Sequence, residues 1–278
     1  MNHEFIQYRV TDQIAHVILD RPRYRNAQSR QLLEELDQAF EVAVNDSQVK
    51  VIILSASGDH FSAGHDLGTE DEKTDLQRRP MGEGLRGRYQ RSRGLYVDFT
   101  LRWRDLPKPT IAVVQGYCIF GGWMIASAMD LVFAASDAMF LGTNFQYFSI
   151  PWDIHPRKAK EILFESRFID GTEACDLGLV NHVYARDTVL EEAVAYAKRV
   201  ALNDAFQLRM IKQAINQAQD SQGFKSHIDA AHNLHMLSST AEKDPDFALG
   251  KPAGKRRPMV QQALKNYEIR RQQQQREQ

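Results

Sequence analysis

The stretch DLPKPTIAVVQGYCIFGGWMIASAMDLVFAAS, residues 105–136, decides the fold. DLPKP breaks what precedes it. TIAVVQGYC is a continuous apolar run rich in β-branched residues, which reads as a strand buried on both faces. GGWMIASAMD then starts a helix, and LVFAAS is another buried strand. A strand, a helix and a strand in this rhythm imply parallel pairing through a right-handed crossover.

Working outward, VKVIILSAS (residues 49–57) is a further buried strand, and segments 4–10 and 13–19 form two strands around Thr11 and Asp12. Leu32, Leu33, Leu36, Ala39, Phe40, Ala43 and Val44 recur at three- and four-residue steps and predict a helix. Residues 68–94 are polar, contain five glycines and carry charges of both signs, so a mobile surface loop is expected there, leading into a helix at 89–104. Beyond residue 157 the pattern is helical. Apolar stripes run through Ala159, Ile162 and Leu163, through Val189 to Ala201, and through Leu208, Ile211 and Ile215. The closing glutamine run is expected to fray. The division is a core domain over 1–200 and a helical C-terminal region over 201–278.

The chain has 278 residues, 43% hydrophobic and 26% charged, enough for a sizeable core without staples. A net charge of -1 gives no global basic field for nucleic acid. Two cysteines, Cys118 and Cys175, exclude a disulfide scaffold and a four-cysteine zinc site. No apolar run reaches the roughly 20 residues that span a bilayer, and the N-terminal segment lacks the apolar stretch of a signal peptide. A cytoplasmic protein is expected.

Two turns leave buried strands with small residues: Phe61-Ser62-Ala63-Gly64 and Phe120-Gly121-Gly122. Small residues let another group approach the backbone closely. The second turn opens a helix, whose free N–H groups favour negative charge. Two such donors aimed at one point make an oxyanion hole; tight turns chosen for packing are the competing reading.

The run from Lys108 to Tyr117, Gly121-Gly122 and Ala126 to Asp130 resembles the signature of the crotonase superfamily, whose best known members are the enoyl-CoA hydratases and isomerases. Arg21 to Ala27, Phe61 to Leu67 and Asp176 to Val180 match in order. The resemblance spans roughly residues 5–200. It implies an α/β fold, a spiral of ββα repeats with a helical C-terminal region that builds trimers or hexamers. It implies an acyl-CoA thioester as substrate, with coenzyme A part of that substrate and no permanently bound cofactor. The backbone N–H groups of Ala63 and Gly121 would hold the thioester oxygen. Arg23 and Arg25 would meet CoA phosphates, and His65, Asp66 and Leu67 would border the adenine and pantetheine arm, where His65 and Asp66 orient the loop.

Hydratases of the family carry two glutamates. Met124 stands at the first position, where it fills the acyl pocket beside Trp123. The second falls on Asn144 or, if the gap lies earlier, on Gln146. None of these ionises, so the two-glutamate hydration mechanism is not expected. Asp153 with His155 is the first candidate replacement, against a reading of Asp153 as a helix cap. Trp152, Tyr96 and Asp98 are candidate pocket walls. His227, His232 and His235 lack a carboxylate or cysteine beside them and make a poor metal site. Lys255-Arg256-Arg257 reads as a solvated charge run, and Cys118 as a buried, inert thiol. The expected protein is an enzyme acting through an enolate; the rival is an inactive acyl-CoA-binding module of an assembly.

Overall fold

The computed structural model describes residues 3–142, 146–242 and 258–277. Strands β1 (Ile6–Thr11) and β2 (Ile14–Leu19) form an antiparallel hairpin. Helix α1 (Arg30–Asn45), whose first turn is capped by the Ser29 hydroxyl accepting from Leu32 N, leads to β3 (Val51–Ala56). Helices α2 (Glu70–Arg78) and α3 (Gly84–Ser92), a π-helical stretch (Arg93–Asp98) and α4 (Phe99–Arg104) follow. Then come β4 (Thr110–Val114), β5 (Tyr117–Ile119), α5 (Gly121–Ala128), β6 (Leu131–Ala135) and β7 (Met139–Leu141). Short α6 (Ile150–Asp153) and α7 (Pro156–Glu165) precede β8 (Ile169–Asp170), α8 (Gly171–Asp176) and β9 (His182–Tyr184). Helices α9 (Val189–Ala201), α10 (Ala205–Ser221), α11 (Phe224–Thr240) and α12 (Pro258–Glu277) complete the described chain.

One sheet has the order β1-β2-β3-β4-β6-β9, parallel from β2 onward; a smaller sheet has the order β5-β7-β8. The apolar runs are continuous because both faces of the large sheet are covered. Val51, Ile53, Ile111, Val113, Phe133 and Ala135 pack under Ala193, Ala197 and Ala201 of α9. The alternating residues Ile52, Leu54, Ala112, Val114, Val132 and Ala134 belong to the main core with α1 and α5. The run expected as one strand from residue 110 is two, because Gln115 and Gly116 (φ +54) turn the chain from the large sheet into the small one.

The expected mobile loop at 68–94 is instead largely helical. Its anchors are ionic, and apolar periodicity does not show them. Glu72 of α2 is 1% exposed, accepts from Arg30 N at 3.1 Å and pairs with Arg91 of α3. Arg21 pairs with Asp66 at 2.7 Å and with Asp71 at 2.8 Å, beside the Thr69 cap of α2. The purely helical expectation after residue 157 is also corrected, since β8 and β9 complete the two sheets. The closing glutamine run continues α12 rather than fraying. Helix α12 is held by Ala263 against Ile119, Leu141 and Phe168, and by Tyr267 OH donating to Asp170 at 2.7 Å. The stripe through Ile211 and Ile215 is exposed. No helix among the described residues is long and apolar enough to cross a membrane.

Phe133 lies fully buried, edge-on to the rings of both His182 and Tyr196. Phe133→Ala is expected to cost about 3–5 kcal/mol of stability, read as a lower urea midpoint at fixed protein concentration.

Candidate active site

Two glycine turns meet at the sheet edge. Ser62 forms a parallel bridge with Cys118, and Gln28 forms one with His65. Between them the loop 61–66 is held on both sides: Ser62 N donates to Tyr117 O, Ile119 N to Ser62 O, Gln28 N to Gly64 O and Asp66 N to Gln28 O. The contact is too close for side chains. A Cβ on Gly64 (φ +87) would lie 2.8 Å from Ile119 O and 3.3 Å from Gly121 N, and one on Gly122 would lie 2.8 Å from Ser62 O.

The donor expected at Ala63 is corrected. Ala63 N–H donates to Arg25 O at 2.9 Å and is spent. The bridge to Gln28 uses Gly64 O and Asp66 N, which turns the intervening His65 N–H away from it. Among the described residues, neither His65 N–H nor Gly121 N–H has an acceptor. Gly121 opens α5 directly after Phe120, which adopts φ 48 and ψ -107, a region costly for any residue with a side chain.

The His65 ring sits between two amides: Nδ1 is 3.0 Å from Gln28 Oε1 and Nε2 is 3.0 Å from Gln146 Oε1. It stacks on Tyr96 at 3.7 Å between centroids. Burial lowers its pKa to about 4; the charges of His235 and Arg91 act in the same direction, against the Gln146 contact. Asp66 is also structural. Burial opposes its charge, but bonds from Thr69, Arg21 and Gly68 hold its carboxyl below the usual carboxylate range. Arg23, Arg25, Asp59, His60, Asp66 and Leu67 are among the residues that line one cleft of about 580 Å³. His65 is not among that lining; its ring turns inward.

Met124 and Trp123 of α5 are buried in the main core, Trp123 edge-on to Phe140. Asn144 lies outside the described residues. Gln146 reaches His65 with its side-chain amide at 3.0 Å. Tyr96 lines the His65 side, but Asp98 is exposed and pairs with Arg93 at 2.7 Å, so it forms no wall. Trp152 is half-buried and donates its indole N–H to His227 Nδ1 at 3.0 Å. His232 Nε2 faces Ser92 Oγ at 2.8 Å. Among the described residues no three His, Cys, Asp or Glu side chains converge on a point that suits a metal. Cys118 is buried, and burial pushes its thiol up. Lys255, Arg256 and Arg257 lie outside the described residues.

The expected pair of Asp153 and His155 is corrected. Residues 153 and 155 do not alternate along one extended segment, because Asp153 ends α6 and the chain turns at Ile154 into α7. His155 is exposed and caps α7, accepting from Arg157 N at 3.3 Å. Asp153 does not cap that helix. Its Oδ2 accepts from Ser149 Oγ at 2.8 Å. Burial pushes its carboxyl up to about 6, against the hydroxyls of Ser149 and Ser127 and the charge of Arg104. Ser127 lies on α5 without a well-aligned bond, and the Tyr147 hydroxyl, fully buried, has no partner among the described residues. Burial, and secondarily Asp153, raises the pKa of that hydroxyl. Ser127, on α5, was not legible as a site residue because no spacing joins it to α6; Ser149 stands one helical turn before Asp153, a spacing the sequence does show. An acid whose pKa is raised to about 6 can take or give a proton near neutral pH.

Because the folded state favours the protonated acid, Asp153 costs the wild type stability as pH rises from about 4 through about 6. Asp153→Asn is expected to be more stable than wild type at pH 8 by about 1–3 kcal/mol and equal to it near pH 4, as read by urea titrations at both values.

Residues 9–250 match the enoyl-CoA hydratase/isomerase family. A Mycobacterium tuberculosis protein that bears an enoyl-CoA hydratase name, EchA13, is 37% identical over 259 residues, covering 84% of this chain and 80% of that protein. A solved structure titled a probable enoyl-CoA hydratase from Mycobacterium smegmatis is 41% identical, with a TM-score of 0.78 over 84% of this chain and 94% of that one. An enoyl-CoA hydratase/isomerase from Xanthobacter autotrophicus Py2 is 29% identical, with a TM-score of 0.78 over 89% and 92% of the two chains. By the family match and these relatives, the chain belongs to the enoyl-CoA hydratase/isomerase family of the crotonase superfamily.

Proposed function

We propose that this enzyme binds an acyl-CoA thioester and stabilises its enolate between the main-chain amides of His65 and Gly121. The observation that carries the reading is that these two N–H groups, without acceptors among the described residues, belong to turns in direct contact. Donors set before charge develops act at no reorganisation cost, and losing one typically costs about 3 kcal/mol of transition-state stabilisation. In the cleft at residues 22–27 and 57–69, Arg23 and Arg25 meet the CoA phosphates with charge-assisted bonds, and exposed Leu67 offers an apolar face to the adenine.

The proton chemistry falls to Asp153. Ionised, it removes a proton from the acyl chain. The electron pair moves to the thioester oxygen as an enolate, and the acid returns the proton to another carbon. That sequence is an isomerisation; the same enolate serves lyase chemistry. Hydration by two glutamates is disfavoured because Met124 and Gln146 carry no acid. The same two residues favour the second reading, an acyl-CoA-binding module without turnover. We also place the protein in a reducing cytoplasm, where the thiols of Cys118 and Cys175 stay free.

Across a panel of enoyl- and acyl-CoA thioesters, the wild type is expected to turn over at least one, with activity falling below about pH 6. Asp153→Asn is expected to lower kcat by about 10²–10⁴ with CoA affinity retained. Binding without turnover by the wild type selects the module, and an unchanged rate in the variant removes Asp153.

Phe206, Met210, Ile211 and Ile215 of α10 and Leu234 and Leu237 of α11 are exposed apolar side chains. We propose that they are covered in a homotrimer, or in a hexamer made of two. Sedimentation is expected to show three or six times 31.8 kDa, and Phe206→Glu with Ile215→Glu to shift it to the monomer.

A further inference from the structure

We propose that the imidazole of His65 is a positioning residue, clamped between Gln28 and Gln146 so that the amides of His65 and Gly121 stay aimed at one point. The proposal rests on the oxyanion reading above and adds side chains to it.

The ring joins four segments distant in sequence. Gln28 precedes α1, His65 sits in the loop after β3, Tyr96 lies in the π-helical stretch and Gln146 precedes α6. A π-helical turn inside a helix is uncommon and often marks a functional site; here it presents Tyr96 to the ring. The clamp also touches the second turn. A Cβ on Gly121 would collide with Gln28 Oε1 and stand 2.6 Å from His65 Nδ1. The Gln28–His65 contact therefore lies directly against the residue that supplies the other donor.

The polarity of the clamp follows from its neighbours. The Ser62 hydroxyl donates to Asn26 O at 2.8 Å. Its lone pairs accept from Gly64 N at 3.2 Å and from Gln28 Nε2 at 3.4 Å. Gln28 therefore turns Oε1 to the ring, and His65 Nδ1 carries the proton. Nε2 of a neutral ring is then an acceptor. Its 3.0 Å contact with the Gln146 amide is favourable when that amide presents its N–H. As placed, Gln146 turns Oε1 toward Nε2 at 3.0 Å; with that amide turned over, donors run one way from Gln146 through His65 and Gln28 to Ser62 and Asn26.

Gly64 (φ +87) brings no side chain to restrain the turn. The bonds to Gly64 O and from Asp66 N set the peptide planes on either side of His65, and because a peptide group is planar the first of them also sets the direction of His65 N–H. The contacts on both ring nitrogens and one ring face add a side-chain restraint that keeps this turn from shifting as a unit against Gly121.

The test uses butyryl-CoA labelled with ¹³C at the thioester carbonyl, bound to the intact protein and followed by difference infrared spectroscopy. Wild type is expected to move the carbonyl band to lower wavenumber. Gln28→Leu and Gln146→Leu are expected to lose at least half of that displacement, while affinity for free CoA changes less than twofold. An undiminished displacement in both variants overturns the clamp. No displacement in wild type overturns the oxyanion reading instead. ¹⁵N resonances of His65 in the unsubstituted protein are expected to show a neutral ring protonated on Nδ1. An imidazolium or the other tautomer overturns the clamp even if a variant fails to fold.

Discussion

The site depends on one close approach of backbone to backbone. The turn at Gly64 and the turn at Gly121 touch with no room for a side chain between them. Two isolated bridges, Ser62 with Cys118 and Gln28 with His65, hold the first turn in place. Everything that makes the region polar follows from this. Strands β3 and β4 end side by side, so their loops leave together. The register of the bridges spends some amides and spares others. Ala63 is spent on Arg25, whereas His65 and Gly121 are spared. A register shift of one residue would exchange these roles, because alternate peptide groups face opposite sides.

Around this contact the protein uses charge where apolar packing would be the commoner choice. Arg21, 3% exposed, serves Asp66, Asp71, Thr69 and the Ala27 carbonyl at once. Glu72 and Arg30 continue the network to Arg91 and Asp75. Such pairs cost desolvation and give little net stability against apolar residues. They supply direction: each bond fixes the angle at which α2 and α3 leave the loop, and so the position of Tyr96 against His65.

The carboxyl proposed for proton transfer comes from α6. Position 124 holds a buried thioether and position 146 an amide, and Asp153 at the end of α6 is a carboxyl bonded to Ser149. Its environment sets its character. Ser149 and Ser127 oppose burial without cancelling it, so Asp153 stays close to neutrality in its proton affinity. The same burial makes it a burden on the folded state. Residues kept at such a cost are found where chemistry needs them.

Local pattern was sufficient for much of this. Continuous apolar runs at 49–57, 110–118 and 131–136 are legible because both faces of their sheet are covered, and a strand between two layers has no polar face to show. The α1 and α9 stripes are legible because each helix rests on that sheet. The ordered motifs carried the family. The helices at 70–92 escaped because ion pairs anchor them, and charge without apolar periodicity reads as solvent exposure. Asp153 was legible as a candidate, but Ser127 of α5 was not. The sequence by itself determined the strands, the glycine turns and the uncharged residues at 124, 144 and 146, since these depend on residue type and near neighbours. Only the tertiary structure decided that His65 rather than Ala63 has the spare amide, that His155 points to solvent, and that Gln28, Tyr96 and Gln146 surround one ring. Those outcomes depend on bridge register and helix placement, which arise from contacts between residues far apart in the chain.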